Sequence, residues 1–253
     1  MMAGHSHSAN IKHRKDAVDK KKAKIFSKIA RKLIVEARLG GADTAMNPGL
    51  RLIWEMARAA NMTKEVIQRN IDKGAGVGAD GANFEELLYE GYGNGGVAIL
   101  AEVLTDNRNR IAPEVKKIFE KAGGNMGDQG CVSYMFESKS LFLVDPDGKS
   151  EDEIMEVVMD AEADDMEPDG EMFLISSSPS SFISVKEKLE AAGLKLEMAE
   201  IQRVASTMME VSDVDQAMKI QRLVDGLEDN DDVQNVYTNH TLTDDVAKAL
   251  EEA

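Results

Sequence analysis

Ile25, Phe26, Ile29, Ala30, Leu33, Ile34 and Ala37 recur at three- and four-residue spacing. At 100° per residue they fall on one stripe of a helix running from about residue 15 to Arg38. Lys20, Lys21, Lys24, Lys28, Arg31, Lys32 and Arg38 fall on the opposite face, and Gly40-Gly41 stops the helix. Asn47-Pro48 reads as an N-cap followed by proline at the first helical position. It opens a second helix through Leu50, Ile53, Trp54 and Ala57 to about Ala60. Thr63 caps a third through Val66, Ile67 and Ile71, ending at Gly74. Three short amphipathic helices bury their stripes against one another, which predicts a helical bundle over residues 15–73.

Residues 74–83, GAGVGADGAN, form a linker by composition. Beyond it strands and helices alternate. Strands are predicted over 97–104, 131–137, 140–145, 195–205, 207–211 and 232–239, and helices over 112–122, 151–163, 181–192 and 213–228. A hairpin is predicted over 164–176, around Pro168-Asp169-Gly170. Residues 138–205 then read strand-helix-strand-strand-helix-strand, the ferredoxin-like order. Residues 84–137 and 206–241 flank them and supply a second, discontinuous α/β domain, leaving 242–253 as a frayed acidic tail. The expected fold class is α+β, with a helical N-terminal bundle and two α/β domains, one inserted into the other.

Charge divides the chain at the same boundary. Residues 1–73 hold 16 Lys and Arg against seven Asp and Glu, whereas residues 74–253 hold 14 against 39. The chain as a whole carries −16, so a basic module is fused to an acidic body. Residues 1–14 are small, polar and basic, an arm without an apolar pattern of its own. Cationic arms suit phosphate backbones, where contact releases counterions. The candidate phosphate contacts are His5, Lys12, His13, Arg14 and Lys15 near the arm, with Lys20, Lys21, Lys24, Lys28, Arg31 and Lys32 on the helix. An anionic membrane surface would need an exposed apolar face, and the first helix spends its stripe on the bundle.

A second candidate is Asp106, Asn107, Arg108, Asn109 and Arg110 in TDNRNR, read as a recognition loop between a strand's C-terminal end and a helix. Turn chemistry and helix capping account for the same residues. Gly76, Gly78 and Gly81, and Gly91, Gly93 and Gly96, have dinucleotide-fingerprint spacing without the strand-then-helix order it requires, and no P-loop is present. No cofactor is expected. His5, His7 and His13 sit without a thiol or carboxylate cluster, so no metal site is expected either. No nucleophile-base constellation is assignable, and paired acids such as Asp164-Asp165 and Asp231-Asp232 read as surface, so no enzyme is expected. Cys131 is the only cysteine, which excludes an internal disulfide and fits a reducing compartment. No apolar run approaches the roughly 20 residues needed to span a bilayer, and the N-terminus lacks a signal-type apolar region.

The ordered motifs MAGHS (2–6), NIKHRK (10–15), KIFSKIARKL (24–33), GGADTAMNPGLR (40–51), NMTKEVIQRNIDKG (61–74), YEGYGNGGVAIL (89–100), TDNRNR (105–110), GGNMG (123–127) and DDVQNVYTN (231–239) resemble the YebC family. That family includes bacterial proteins labelled probable transcriptional regulators and a mitochondrial translational activator of cytochrome oxidase subunit one. One departure is that His7-Ser8 stand where the family typically has Lys-Trp, so a stacking aromatic is missing from the arm. The resemblance implies a cytoplasmic, three-domain gene-expression factor without known enzymatic chemistry, its two α/β domains set around a cavity. The expected partner is the ribosome or structured RNA, with DNA as the alternative and a protein-interaction adaptor as a second alternative. No heptad zipper is visible, so a monomer is expected.

Overall fold

The structure, a computed structural model, describes residues 22–76 and 84–251. Helices α1 (Lys22–Gly40), α2 (Pro48–Ala59) and α3 (Lys64–Gly74) form the N-terminal bundle. The stripe read from the sequence is its core: Ile29, Leu33 and Ala37 pack with Leu50, Ile53, Ala57, Ile67 and Ile71, all buried. Buried Asn47 joins two helices. Its Oδ1 accepts from the Leu50 amide at 3.0 Å, capping α2. Its Nδ2 donates to the carbonyls of Glu36 and Gly41 at 2.8 and 2.9 Å, satisfying acceptors that the end of α1 leaves open. Thr63 caps α3 by accepting from the Val66 amide. The α1–α3 crossing is close enough to require glycine: a Cβ on Gly74 would lie 2.2 Å from the Ile34 carbonyl oxygen.

The bundle shares a compact unit with a four-stranded sheet, residues 22–76 and 84–129 with 219–236. The sheet order is β3-β1-β2-β9, from β1 (Glu85–Tyr92), β2 (Ala98–Thr105), β3 (Asn125–Met126) and β9 (Val233–Thr238). β2 is buried along almost its whole length, as its unbroken apolar run demands. Helix α4 (Arg108–Lys121) contributes buried Ile111, Val115 and Phe119 at four-residue steps. β1 is a strand that the pattern did not predict. Glu85-Glu86 are exposed, and Gly91 replaces a side chain where Asn125 and Phe119 leave no room for a Cβ.

A second unit takes residues 130–218 with 237–251. In it β4 (Phe136–Asp145), α5 (Glu151–Asp160), β5 (Asp165–Asp169), β6 (Met172–Ser177), α6 (Phe182–Ala191) and β7 (Lys195–Ala205) follow one another. The sheet order β5-β6-β4-β7 is antiparallel throughout, the ferredoxin-like topology. Phe142 and Phe182 stack at 5.2 Å between sheet and helix. Two expectations are corrected here. Residues 131–137 are not a separate strand: a short 3-10 turn over Ser133–Met135 leads into one long β4. The frayed tail is folded: β10 (His240–Leu242) pairs in parallel with β8 (Met209–Val211), and α8 (Asp244–Glu251) buries Val246.

Candidate nucleic-acid interface

Of the candidate phosphate contacts, His5, Lys12, His13, Arg14, Lys15, Lys20 and Lys21 lie outside the described residues. Lys24, Lys28, Arg31 and Lys32 are described, on α1. The sequence reading sets all four on a solvated face; the structure sets three of them against an acidic turn. Helix α7 (Val214–Glu228) ends there, and residues 229–232 turn back into β9. The turn is built locally. The amide of Asp229 donates to the Asp225 carbonyl, and the Asn230 side chain accepts from the Asp232 amide at 2.9 Å.

Lys24 Nζ donates to the Asp229 carbonyl at 2.7 Å and to its carboxylate at 3.1 Å. Lys28 Nζ donates to the Glu228 carbonyl at 3.3 Å. Arg31 donates to the Asp231 carbonyl and lies 3.2 Å from the Asp232 carboxylate. Cations are favoured there twice over, by the carboxylates and by the negative end of the α7 dipole with its open carbonyls.

The same turn reaches the second candidate. Asp232 Oδ2 accepts from Thr105 Oγ1 at 2.7 Å and from Arg110 Nη2 at 2.5 Å. Arg110 also pairs with Asp106 at 3.0 Å. The bonds from Asp232 hold the Arg110 guanidinium above its ordinary range. TDNRNR is therefore the end of β2, a cap and the first turn of α4, with Asn107 Oδ1 accepting from the Arg110 amide. Arg110 is turned onto Asp232, while Arg108 and Asn109 are exposed. The reading of Asp231-Asp232 as surface is corrected at Asp232, which is buried at 4% exposure. A buried carboxylate needs charged and hydrogen-bonding partners, and Arg31, Arg110 and Thr105 supply them.

Sequence reasoning also passed over α3. Lys64, Gln68, Arg69 and Lys73 are exposed and, with Glu65, Asn70 and Asp72, line an open depression of about 810 Å³. Gln68 and Asn70 point their amides back onto their own helix, to Asp72 and to the Val66 carbonyl, each at 2.8 Å. α3 offers Lys64, Arg69 and Lys73 outward, with Glu65 exposed beside them. Its capping residue and its Lys, Arg and Lys at positions 64, 69 and 73 were the available signal.

Glu36, near the end of α1, has its carboxyl pushed up by burial and by the charge of Glu86, against a smaller lowering by Lys32. An acid raised in the folded state costs stability once ionised, so stability falls as pH climbs from the ordinary glutamate value through the raised one. Glu36→Gln is expected to be more stable than the parent at pH 7 and to lose that advantage below about pH 4. Urea midpoints at the two pH values check this.

The two modules match two descriptions from one family. Residues 6–77 match the TACO1/YebC protein N-terminal domain, and residues 84–240 match the TACO1/YebC second and third domain. The chain belongs to the TACO1/YebC family. A protein of Acinetobacter baumannii (strain AYE) named a probable transcriptional regulatory protein is 46% identical over 250 residues, covering 99% of this chain and all of that one. A protein of Syntrophobacter fumaroxidans with the same name is 45% identical over 245 residues, covering 97% and 98%. The crystal structure of the conserved hypothetical protein Aq1575 from Aquifex aeolicus superimposes with a TM-score of 0.80 at 42% identity, covering 90% of this chain and 93% of that one. The family's N-terminal domain is thus the bundle that carries α1 and α3.

Proposed function

We propose that this protein is a gene-expression factor that acts on RNA as a ribosome-associated translation factor assisting elongation, gripping phosphates with its N-terminal arm and bundle. The observation that carries the reading is the charge of the bundle: residues 22–76 hold eleven Lys and Arg against five Asp and Glu, on a chain of net charge −16. A counterion-releasing surface confined to one module is the electrostatic footprint of nucleic-acid contact. The arm residues His5, Lys12, His13, Arg14, Lys15, Lys20 and Lys21 and the helix cations Lys24, Lys28, Arg31 and Lys32 are its proposed contacts. Exposed Lys64, Arg69 and Lys73 extend that surface onto α3. In TDNRNR, exposed Arg108 and Asn109 are the proposed recognition contacts, Asp106, Asn107 and Arg110 being engaged in the cap and the pairing with Asp232.

A DNA-binding transcriptional regulator is the second reading, favoured by the names its relatives carry. Specific duplex readers place Asn, Gln and Arg side chains against base edges. On α3 the two amides are spent on the helix itself, which supports phosphate contact over base readout. The reading is tested by replacing Lys64, Arg69 and Lys73 with Gln and measuring ribosome co-sedimentation. At physiological salt each phosphate that a cation neutralises on a single strand is worth about half a decade of affinity, so the triple variant is expected to bind about thirtyfold more weakly. All three side chains are exposed, so its thermal midpoint is expected to stay near that of the parent. Unaltered co-sedimentation would remove α3 from the interface.

A further inference from the structure

We infer that the turn at Glu228–Asp232 is a built-in competitor of RNA: it occupies Lys24 and Lys28 of α1 in the resting protein, and an RNA strand displaces it. The inference rests on the proposed RNA contact and adds its regulation. The sequence of the turn, Glu-Asp-Asn-Asp-Asp, presents carboxylates and open carbonyls in quick succession, as a phosphate backbone presents its oxygens. Three cations of one helix face engage it within three helical turns, each through a carbonyl and two through or beside a carboxylate.

The contacts differ in how readily they exchange. The side chains of Lys24 and Asp229 are 36% and 52% exposed, so their pair is screened by salt and open to substitution by another anion. Arg31 and Asp232 are 21% and 5% exposed, and Asp232 is held further by Arg110 and Thr105. Asp232 is therefore the pivot that stays fixed, and Lys24 and Lys28 are the positions that change hands. While the turn is in place, Asp225, Glu228, Asp229, Asp231 and Glu114, which bonds Asn230 at 2.9 Å, surround this end of α7 with negative charge. A strand approaching α1 meets that repulsion as well as occupied lysines. Binding of the turn and of RNA to the same two cations is mutually exclusive, so each weakens the other by the same factor.

The test uses the full chain with Glu228→Gln, Asp229→Asn and Asp231→Asn, which removes charge while leaving Asp232 and the carbonyls in place. A control chain carries Glu151→Gln, Asp152→Asn and Glu156→Gln on α5, an equal charge change in the other unit. Affinity for a fluorescent 20-nucleotide oligouridine is measured at about 0.15 M salt, with lysine acetylation rates read by mass spectrometry. The turn variant is expected to bind up to about tenfold more tightly, about half a decade for each lysine, because RNA phosphates then compete for Lys24 and Lys28 against neutral carbonyls alone. The control is expected to stay within about twofold, and Lys24 and Lys28 are expected to react faster in the turn variant alone. Equal gains in both variants would reduce the effect to net charge and overturn the inference. Unchanged affinity in the turn variant, whatever the lysine rates, would overturn it while leaving the RNA reading standing. Absence of RNA binding by parent and variants alike would overturn the RNA reading and the competitor with it.

Discussion

Replacing Asp232 with alanine is expected to destabilise the protein by about 2–3 kcal/mol, the range for losing charge-assisted hydrogen bonds at a buried carboxylate. The residue is 4% exposed and holds together three segments: Arg31 on α1, Arg110 at the start of α4 and the hydroxyl of Thr105 at the end of β2. Removing the carboxylate leaves Thr105, itself fully buried, without that acceptor and strands a partly covered guanidinium at Arg31. Arg110 is 45% exposed and recovers solvation, which keeps the expected cost below that of an orphaned pair. Asp232→Asn keeps the shape and one acceptor, so its expected cost is smaller. Chemical denaturation of both variants checks the order, and an alanine variant as stable as the parent would show that the node carries no energy. Charge reversal of Lys24, Lys28 and Arg31 strikes the same node. Glutamates there would face Glu228, Asp229 and Asp232, so the triple variant is expected to lose stability as well as binding.

Deleting residues 1–22 is expected to have the largest effect on RNA affinity. The deleted segment holds six Lys and Arg, at positions 12, 14, 15, 20, 21 and 22. For single strands, log affinity falls with log salt at about −0.7 per phosphate neutralised, so removing six cations flattens the slope by about 4. At physiological salt that is about three decades of affinity. His7-Ser8 leave the arm without a Trp, Tyr or Phe ring to stack on bases, so the loss is expected to depend little on base sequence. Binding isotherms over a salt series check both numbers, and an unchanged slope would exclude the arm from the interface.

The helices of the bundle were legible because their information is local. A stripe at three- and four-residue spacing names the buried face, and Asn47 and Thr63 name the starts of α2 and α3 through hydrogen bonds three residues away. The ferredoxin-like order was legible for the same reason: turns and caps punctuate it. β1 was missed because Glu85, Glu86, Glu90 and Gly91 blur a strand whose register is set by its partner β2. The polar run Glu137-Ser138-Lys139 divided β4 into two strands on paper, although pairing with β7 carries it through without a break there. The interface was the least legible part. A stripe says which face of α1 is core; it is silent about what docks on the other face. The partners of Lys24 and Arg31 are 205 and 200 residues away, and Arg110 is 122 residues from Asp232. Two adjacent aspartates look like surface when the cations that bury one of them are that distant in sequence.

Whether the basic module serves RNA on the ribosome is decided by two captures set side by side at physiological salt. One is sedimentation of cell extract with and without ribonuclease, followed by crosslink mapping; the other is selection from a pool of random duplex DNA. The expected result is ribosome association lost on ribonuclease treatment, crosslinks from residues 1–32 and from α3, and no duplex sequence enriched. Recovery of a defined duplex motif bound about a thousandfold above random sequence, the margin typical of specific DNA readers, with no ribosome association, would contradict it.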